Sequence, residues 1–122
     1  MLLNDFFTIG KIETTDTEVK AELVINPGHK IFEGHFPGQP VVPGVCMMEM
    51  VKEILEQVTS KKTNLVKAHE MKFLAVIDPS RNNLISTKLK YTVGEDGSLN
   101  VLASFFKEDL MHFRFKGMFV PL

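Results

Sequence analysis

The sequence predicts an α+β domain in which a curved antiparallel sheet wraps one central helix, and three observations predict it. The segments run in the order two strands, one helix, four strands, which excludes the alternating strand-helix pattern of a parallel sheet. The helical segment is apolar around well over half its circumference, more than a helix resting on one flat surface shows. The strand segments alternate apolar and polar residues, as half-buried strands do. A sheet curved around the helix satisfies all three.

Taken in order, Thr8 to Thr14 reads as a first strand. Val19, Ala21, Leu23 and Ile25 then alternate with Lys20, Glu22 and Asn26 as a second. The polar link Thr15-Asp16-Thr17 is short enough to make the two an antiparallel hairpin. Pro27 to Gly44 is the one Gly/Pro-dense stretch, and a connection that long inside a compact domain implies a functional loop. Val45 to Val58 holds no Gly or Pro, is rich in Met, Glu, Lys and Leu, and follows a Pro-Gly pair, which marks a helix. Its apolar residues are Val45, Met47, Met48, Val51, Ile54, Leu55 and Val58. Four strand-like runs follow, near Leu65 to Ile77, Leu84 to Val93, Leu99 to Lys107 and Met111 to Val120. Turn signals separate them at residues 78–83, at Gly94-Glu95-Asp96-Gly97 and at Glu108-Asp109. Leu99, Val101, Ala103 and Phe105, like Phe113, Phe115 and Phe119, recur at even spacing and read as core.

A chain of 122 residues suits one domain, taken as residues 1–122. Hydrophobic residues at 44% and charged residues at 24% give the balance of a folded globular protein. The net charge of -1, with both signs mixed along the chain, gives no general electrostatic argument for nucleic acid or anionic membrane. Cys46 is the only cysteine, so no intrachain disulfide forms and a reducing compartment is the default. No segment approaches the ~20 apolar residues of a membrane helix, and the first ten residues lack the basic flank of a secretory signal. The expectation is a soluble, cytoplasmic protein.

Chemistry concentrates between Gly34 and Glu49. Three prolines and three glycines constrain the backbone from Gly34 to the helix start at Gly44-Val45. An imidazole and a carboxyl are thereby placed fourteen residues apart at a cost in foldability. A neutral imidazole takes a proton, a carboxylic acid gives one, and free N–H groups at a helix N-terminus stabilise a carbonyl oxygen gaining charge. Those are the parts a β-elimination beside a carbonyl requires. On the residues alone, however, His35 also reads as a hydrogen-bonded structural histidine. Glu49, on one helix face with Lys52, Glu53 and Glu56, also reads as the first member of a solvated charged stripe. Only its position near the helix start, between Met48 and Met50, hints at an apolar setting that would raise its pKa. Cys46 reads as a buried, inert thiol. Met47, Met48 and Met50 read as core or tunnel lining. His29, His69 and His112 show no zinc-like spacing with each other or with Cys46, and no metal is expected.

The string Gly34-His35-Phe36-Pro37-Gly38-Gln39-Pro40-Val41-Val42-Pro43-Gly44-Val45-Cys46-Met47-Met48-Glu49-Met50 resembles, without a gap, the GHFPG-x-P-x-x-PGV-x-x-x-E pattern of the β-hydroxyacyl-acyl carrier protein dehydratases. These are enzymes of the hot-dog superfamily. The resemblance implies a hot-dog fold and dehydration of 3-hydroxyacyl thioesters to trans-2-enoyl thioesters, with His35 and Glu49 as catalytic pair. It implies that the two come from opposite subunits of a homodimer, with a trimer of dimers as a further assembly. The Gly44 N–H would hold the thioester carbonyl and the Val41 carbonyl would orient the histidine. Phe36 and Pro37, with Val45 and Met48, would shape the substrate pocket. No metal or diffusible cofactor is implied. The substrate would arrive on the phosphopantetheine arm of acyl carrier protein, in fatty acid or related polyketide or polyene lipid synthesis.

This chain departs from the pattern in places. A Glu-Ala-x-x-Gln helix start reads Glu49-Met50-Val51-Lys52-Glu53, an Arg-Pro-Val strand reads Leu74-Ala75-Val76, and an N-terminal Leu-Pro-His-Arg-Tyr-Pro-like segment is not present. These departures fit a specialised pathway. Two other functions remain open on sequence: a hot-dog thioesterase, and a non-catalytic acyl-thioester binding partner. Lys61, Lys62, Lys72, Arg114 and Lys116 could include a docking patch for an acidic carrier, although scattered solvated charges are the plainer reading.

Overall fold

The computed structural model of the chain describes residues 1–34 and 40–122. Strands β1 (Phe7–Thr14) and β2 (Glu18–Ile25) form the expected hairpin. Its turn is closed by the Thr15 N–H donating to the Glu18 carbonyl at 2.8 Å and by the Glu18 N–H donating to the Thr15 hydroxyl at 3.2 Å. A short helix α1 (Ile31–Gly34) follows, then the long helix α2 (Gly44–Thr59). Four strands complete the chain: β3 (Thr63–Phe73), β4 (Leu84–Val93), β5 (Leu99–Lys107) and β6 (Leu110–Pro121).

All six strands join one antiparallel sheet in the order β1-β2-β4-β5-β6-β3. The order explains the path. Leaving β2, the chain crosses under the sheet through α2 to found the far edge as β3, then returns through residues 74–83 to lay β4 beside β2. Helix α2 therefore spans the sheet. Met50, Val51, Ile54 and Leu55 of α2 are fully buried, as are Leu23, Ile25, Ile85, Leu89, Phe105, Phe113 and Phe119 of the strands around it. The sequence's even-spaced apolar residues are this core. Tilted ring pairs Phe105–Phe113 and Phe115–Phe119, with centroids 5.6 and 5.8 Å apart, fill the space between helix and sheet in the geometry aromatic pairs prefer.

Strand β3 stops at Phe73 and does not run on to Ile77 as the sequence suggests. The Leu74 and Ala75 N–H groups both turn to the His112 carbonyl, at 2.9 and 3.3 Å, and that ends the ladder. Residues 74–77 keep an apolar pattern because Ile77 is still buried, so strand periodicity persists where strand pairing does not. The short helix α1 was not foreseen. It is seeded by His29, whose Nδ1 accepts from the Ile31 N–H at 3.1 Å while its Nε2 meets the Asp5 carboxylate at 3.1 Å. No helix among the described residues is long and apolar enough to cross a membrane.

Candidate active site

Helix α2 begins at Pro43, whose extended backbone (φ -63°, ψ 146°) places it as N-cap without a side-chain cap. The Cys46 and Met47 N–H groups both donate to the Pro43 carbonyl, at 3.0 and 3.2 Å. Those of Gly44 and Val45 have no backbone acceptor among the described residues, as the first N–H groups of a helix lack intrahelical partners. In front of this terminus lies an apolar cavity of about 450 Å³, lined by Val41, Val42, Pro43, Gly44, Met47 and residues 73–76.

The cavity wall is stitched from three parts of the chain. The Val42 N–H donates to the Ile77 carbonyl at 2.9 Å, which ties the loop before α2 to the segment after β3. His112 sits at a register shift between β5 and β6 and, only 4% exposed, places its Nδ1 3.1 Å from the Ala75 carbonyl. Its Nε2 has no partner among the described residues. Phe73 stacks on Phe113 with centroids 5.0 Å apart, and an added Cβ at Gly44 would come within 2.9 Å of the Phe73 ring. Gly44 is thus a glycine for a steric reason: the helix terminus and the aromatic wall approach too closely for a side chain.

Among the residues singled out from sequence, Val41 and Gly44 meet in this cavity, joined by Met47. Val45 is 75% exposed and Met48 is half-buried against the core; neither is part of the wall. His35, Phe36 and Pro37 lie outside the described residues. Met50 is core, and Cys46 is buried, with burial first and the Glu49 charge second pushing its thiol pKa up.

Glu49 is half-buried. Burial raises its pKa to about 7, reinforced by a hydrogen bond to and the charge of Glu53 and by Glu56, and opposed by Lys52. The solvated stripe considered from sequence is therefore not what forms. Glu53 is 1% exposed, and Glu56 accepts from the Thr63 N–H at 2.7 Å. Sequence reasoning missed Glu53, Phe73 and His112. Glu53 left one readable signal, its place four residues after Glu49 on the same face.

Comparison with known proteins decides what this framework is. Residues 11–101 match the family model for ApeI-like proteins, described as ApeI dehydratase. The chain belongs to the ApeI-like dehydratase family. Curated relatives agree with this membership. The 3-hydroxyacyl-acyl-carrier-protein dehydratase FabZ of Blochmanniella pennsylvanica is 33% identical over 87 residues, which is 71% of this chain and 53% of that protein. Its namesake in Mannheimia succiniciproducens is 36% identical over 63 residues, 52% of this chain and 41% of that one. The chain thus spans about half the length of the curated relatives it matches.

Two solved structures share the fold at low identity. The dehydratase heterocomplex ApeI:P from Xenorhabdus doucetiae superposes with TM-score 0.68 at 21% identity, covering 92% of this chain and 96% of that one. The sigma28-regulated virulence protein Cj0977 from Campylobacter jejuni does so with TM-score 0.70 at 11% identity, covering 97% and 85%. The ApeI-like chain therefore has the hot-dog fold expected of it, a six-stranded antiparallel sheet around one helix.

Proposed function

We propose that the protein removes water from 3-hydroxyacyl thioesters carried on acyl carrier protein, giving trans-2-enoyl thioesters in fatty acid or related polyketide or polyene lipid synthesis. The observation that carries this reading is Glu49, a carboxyl held protonated up to about pH 7 on the helix whose first N–H groups, without a backbone acceptor among the described residues, head an apolar cavity. Water leaves a β-carbon readily only when protonated as it departs, and a carboxylic acid still neutral near pH 7 can supply that proton. An ordinary carboxylate could not. In this scheme neutral His35 takes the C2 proton while the Gly44 N–H stabilises the oxygen that gains charge. The Val41 carbonyl orients His35, and Phe36 and Pro37 help shape the acyl site. No metal or diffusible cofactor takes part.

Helix geometry supports a site shared between two chains of a homodimer. Glu49 follows Gly44 by five residues, about 140° around the helix and about 7.5 Å along it, so it points away from the cavity that Gly44 heads. Within one chain the carbonyl-holding N–H and the acid therefore face different directions. A two-fold dimer brings the Glu49 of one subunit to the Gly44 cavity of the other.

Incubation with a panel of carrier-bound 3-hydroxyacyl chains, read by mass spectrometry, tests the reaction. The expected product has lost one water and remains thioester-linked. Release of free thiol would instead indicate a thioesterase, and binding without turnover a non-catalytic acyl partner. Glu49→Gln is expected to lower turnover by roughly 10²- to 10⁴-fold with the fold intact. Mixing inactive His35→Ala and Glu49→Gln chains should restore about a quarter of wild-type activity, because half the dimers of an equal mixture are mixed and each has one intact shared site. No recovery from verified mixed dimers would remove the shared-site arrangement.

A further inference from the structure

Glu53 lies one helical turn beyond Glu49 and is 1% exposed. A carboxylate so deeply buried is costly unless donors meet its oxygens, and donors do. The Leu2 N–H donates to both oxygens at 3.0 and 2.9 Å, and the Leu3 N–H donates to Oε1 at 2.7 Å. These donors come from a stretch about fifty residues away in sequence that lies across α2. Being backbone groups, they cannot swing aside as a lysine would.

We propose that Glu53, clamped by the backbone N–H groups of Leu2 and Leu3, is a positioning residue that presents a fixed negative charge to Glu49 and keeps Glu49 loaded with the proton it donates. The proposal rests on the dehydratase reading of Glu49 given above. Two carboxyls sharing one site resist ionising together, so one of them gives up its proton late. The amide donors decide which of them does. Burial alone would raise the Glu53 pKa, yet its hydrogen bonds to Glu49 and to the Leu2 and Leu3 N–H groups outweigh burial and lower it. Among the described residues Glu49 has no backbone donor of this kind, and it takes the proton.

Charged groups around the pair act unequally. On the same helix Lys52 favours ionisation of Glu49, while Glu56 opposes it. Cys46, one turn earlier, is a buried thiol. From outside the helix the Met1 amino group adds to the hold on Glu53. In a Glu-Ala-x-x-Gln helix start the equivalent side chain is an amide, able to accept the same N–H bonds but without charge. Glu53 in its place moves the proton-donating range of Glu49 toward neutrality.

The test is a carboxyl-carbon NMR titration of protein labelled with ¹³C-glutamate, with Glu49→Gln used to assign the Glu49 signal. In wild type the Glu49 carboxyl should titrate near pH 7. In Glu53→Gln, folded by circular dichroism, its midpoint should move down by roughly one pH unit or more toward the ordinary carboxylate range. The alkaline limb of kcat/KM for a carrier-bound 3-hydroxyacyl substrate should move down by the same interval. A Glu49 midpoint unmoved in folded Glu53→Gln overturns the positioning role, whatever the activity. A midpoint that moves as expected in a protein that never dehydrates the substrate overturns the dehydratase reading and leaves the carboxyl pair standing. Wild type alone also decides the matter: the two carboxyl carbons should each report both steps of a coupled titration, and two independent single-step curves would sink the idea.

Discussion

The two edges of the sheet are built differently. Edge strand β1 spans eight residues, carries Lys11 and Glu13, and shifts register between Ile9 and Ile12. Charge and a bulge are devices that keep a free edge from pairing with another chain. Edge strand β3 carries the same devices, with Lys67, Glu70 and Lys72 and two register shifts, but at eleven residues it is longer and exposes Leu65, Val66, Met71 and Phe73, where β1 exposes Ile12. Leu74 and Val76, which line the cavity, are exposed as well. Exposed apolar residues gathered at a strand edge and a cavity fit an interaction face. We read β1 as an edge left to solvent and β3 as the edge a second copy covers, which is also the edge beside the Gly44 cavity.

Breaking β3 should have the largest effect. Val66→Glu with Val76→Glu places charge on side chains that are 54% and 71% exposed, so each chain should still fold. The pair should turn a dimer into a monomer by light scattering and lower dehydration by at least about 10²-fold, the loss expected when a site is deprived of its acid. Ile12→Glu on β1 should leave both assembly and rate within about twofold, since exposed sites tolerate charge. A dimer split by Ile12→Glu and untouched by the β3 pair would invert the comparison.

Gly44→Ala probes the same edge from the helix side. The new methyl meets the Phe73 ring, so either Phe73 or the start of α2 must shift, an overpacking that costs about 1–3 kcal/mol. A displaced Gly44 N–H should lower kcat/KM by about tenfold or more. Adding Phe73→Leu should restore thermal stability, because the smaller side chain yields the space. Full stability in Gly44→Ala alone would mean the close approach is not rigid.

What the sequence made legible is what repeats locally. The β1–β2 hairpin, the α2 boundaries to within a residue and the alternating core of β5 and β6 all follow from patterns only a few residues long. The end of β3 was misjudged because burial of Ile77 continues an alternation that hydrogen bonding has already abandoned. Glu53 was misjudged for the opposite reason. Helical spacing groups it with Lys52 and Glu56 as a charged stripe, and only the distant Leu2 and Leu3 N–H groups make its burial affordable. No local pattern carries that information. The Gly34–Met50 string pointed to the family, while Phe73, which lines the cavity, and His112, which braces its wall through the Ala75 carbonyl, come from strands paired long after that string ends.

The smallest predicted effect asks what the β3 edge does to the helix behind it. The Glu49 pKa is raised from its ordinary value of 4.5 to about 7, so its contribution to stability is fully present below pH 4.5 and is lost as pH rises through 7. The Glu53 pKa is lowered, so its contribution is present above the ordinary value and is lost only as pH falls below it. The two windows are separate. Between pH 5 and 8 wild type should lose on the order of 1–2 kcal/mol, after allowance for the solvent that reaches a half-buried carboxyl, and Glu49→Gln should remove most of that decline. Denaturant titrations across this range measure it. If a second copy covers β3 and excludes water from α2, the decline should be steeper in the dimer than in monomeric Val66→Glu/Val76→Glu. Equal slopes would show that the covered edge and the acid helix do not communicate through solvent.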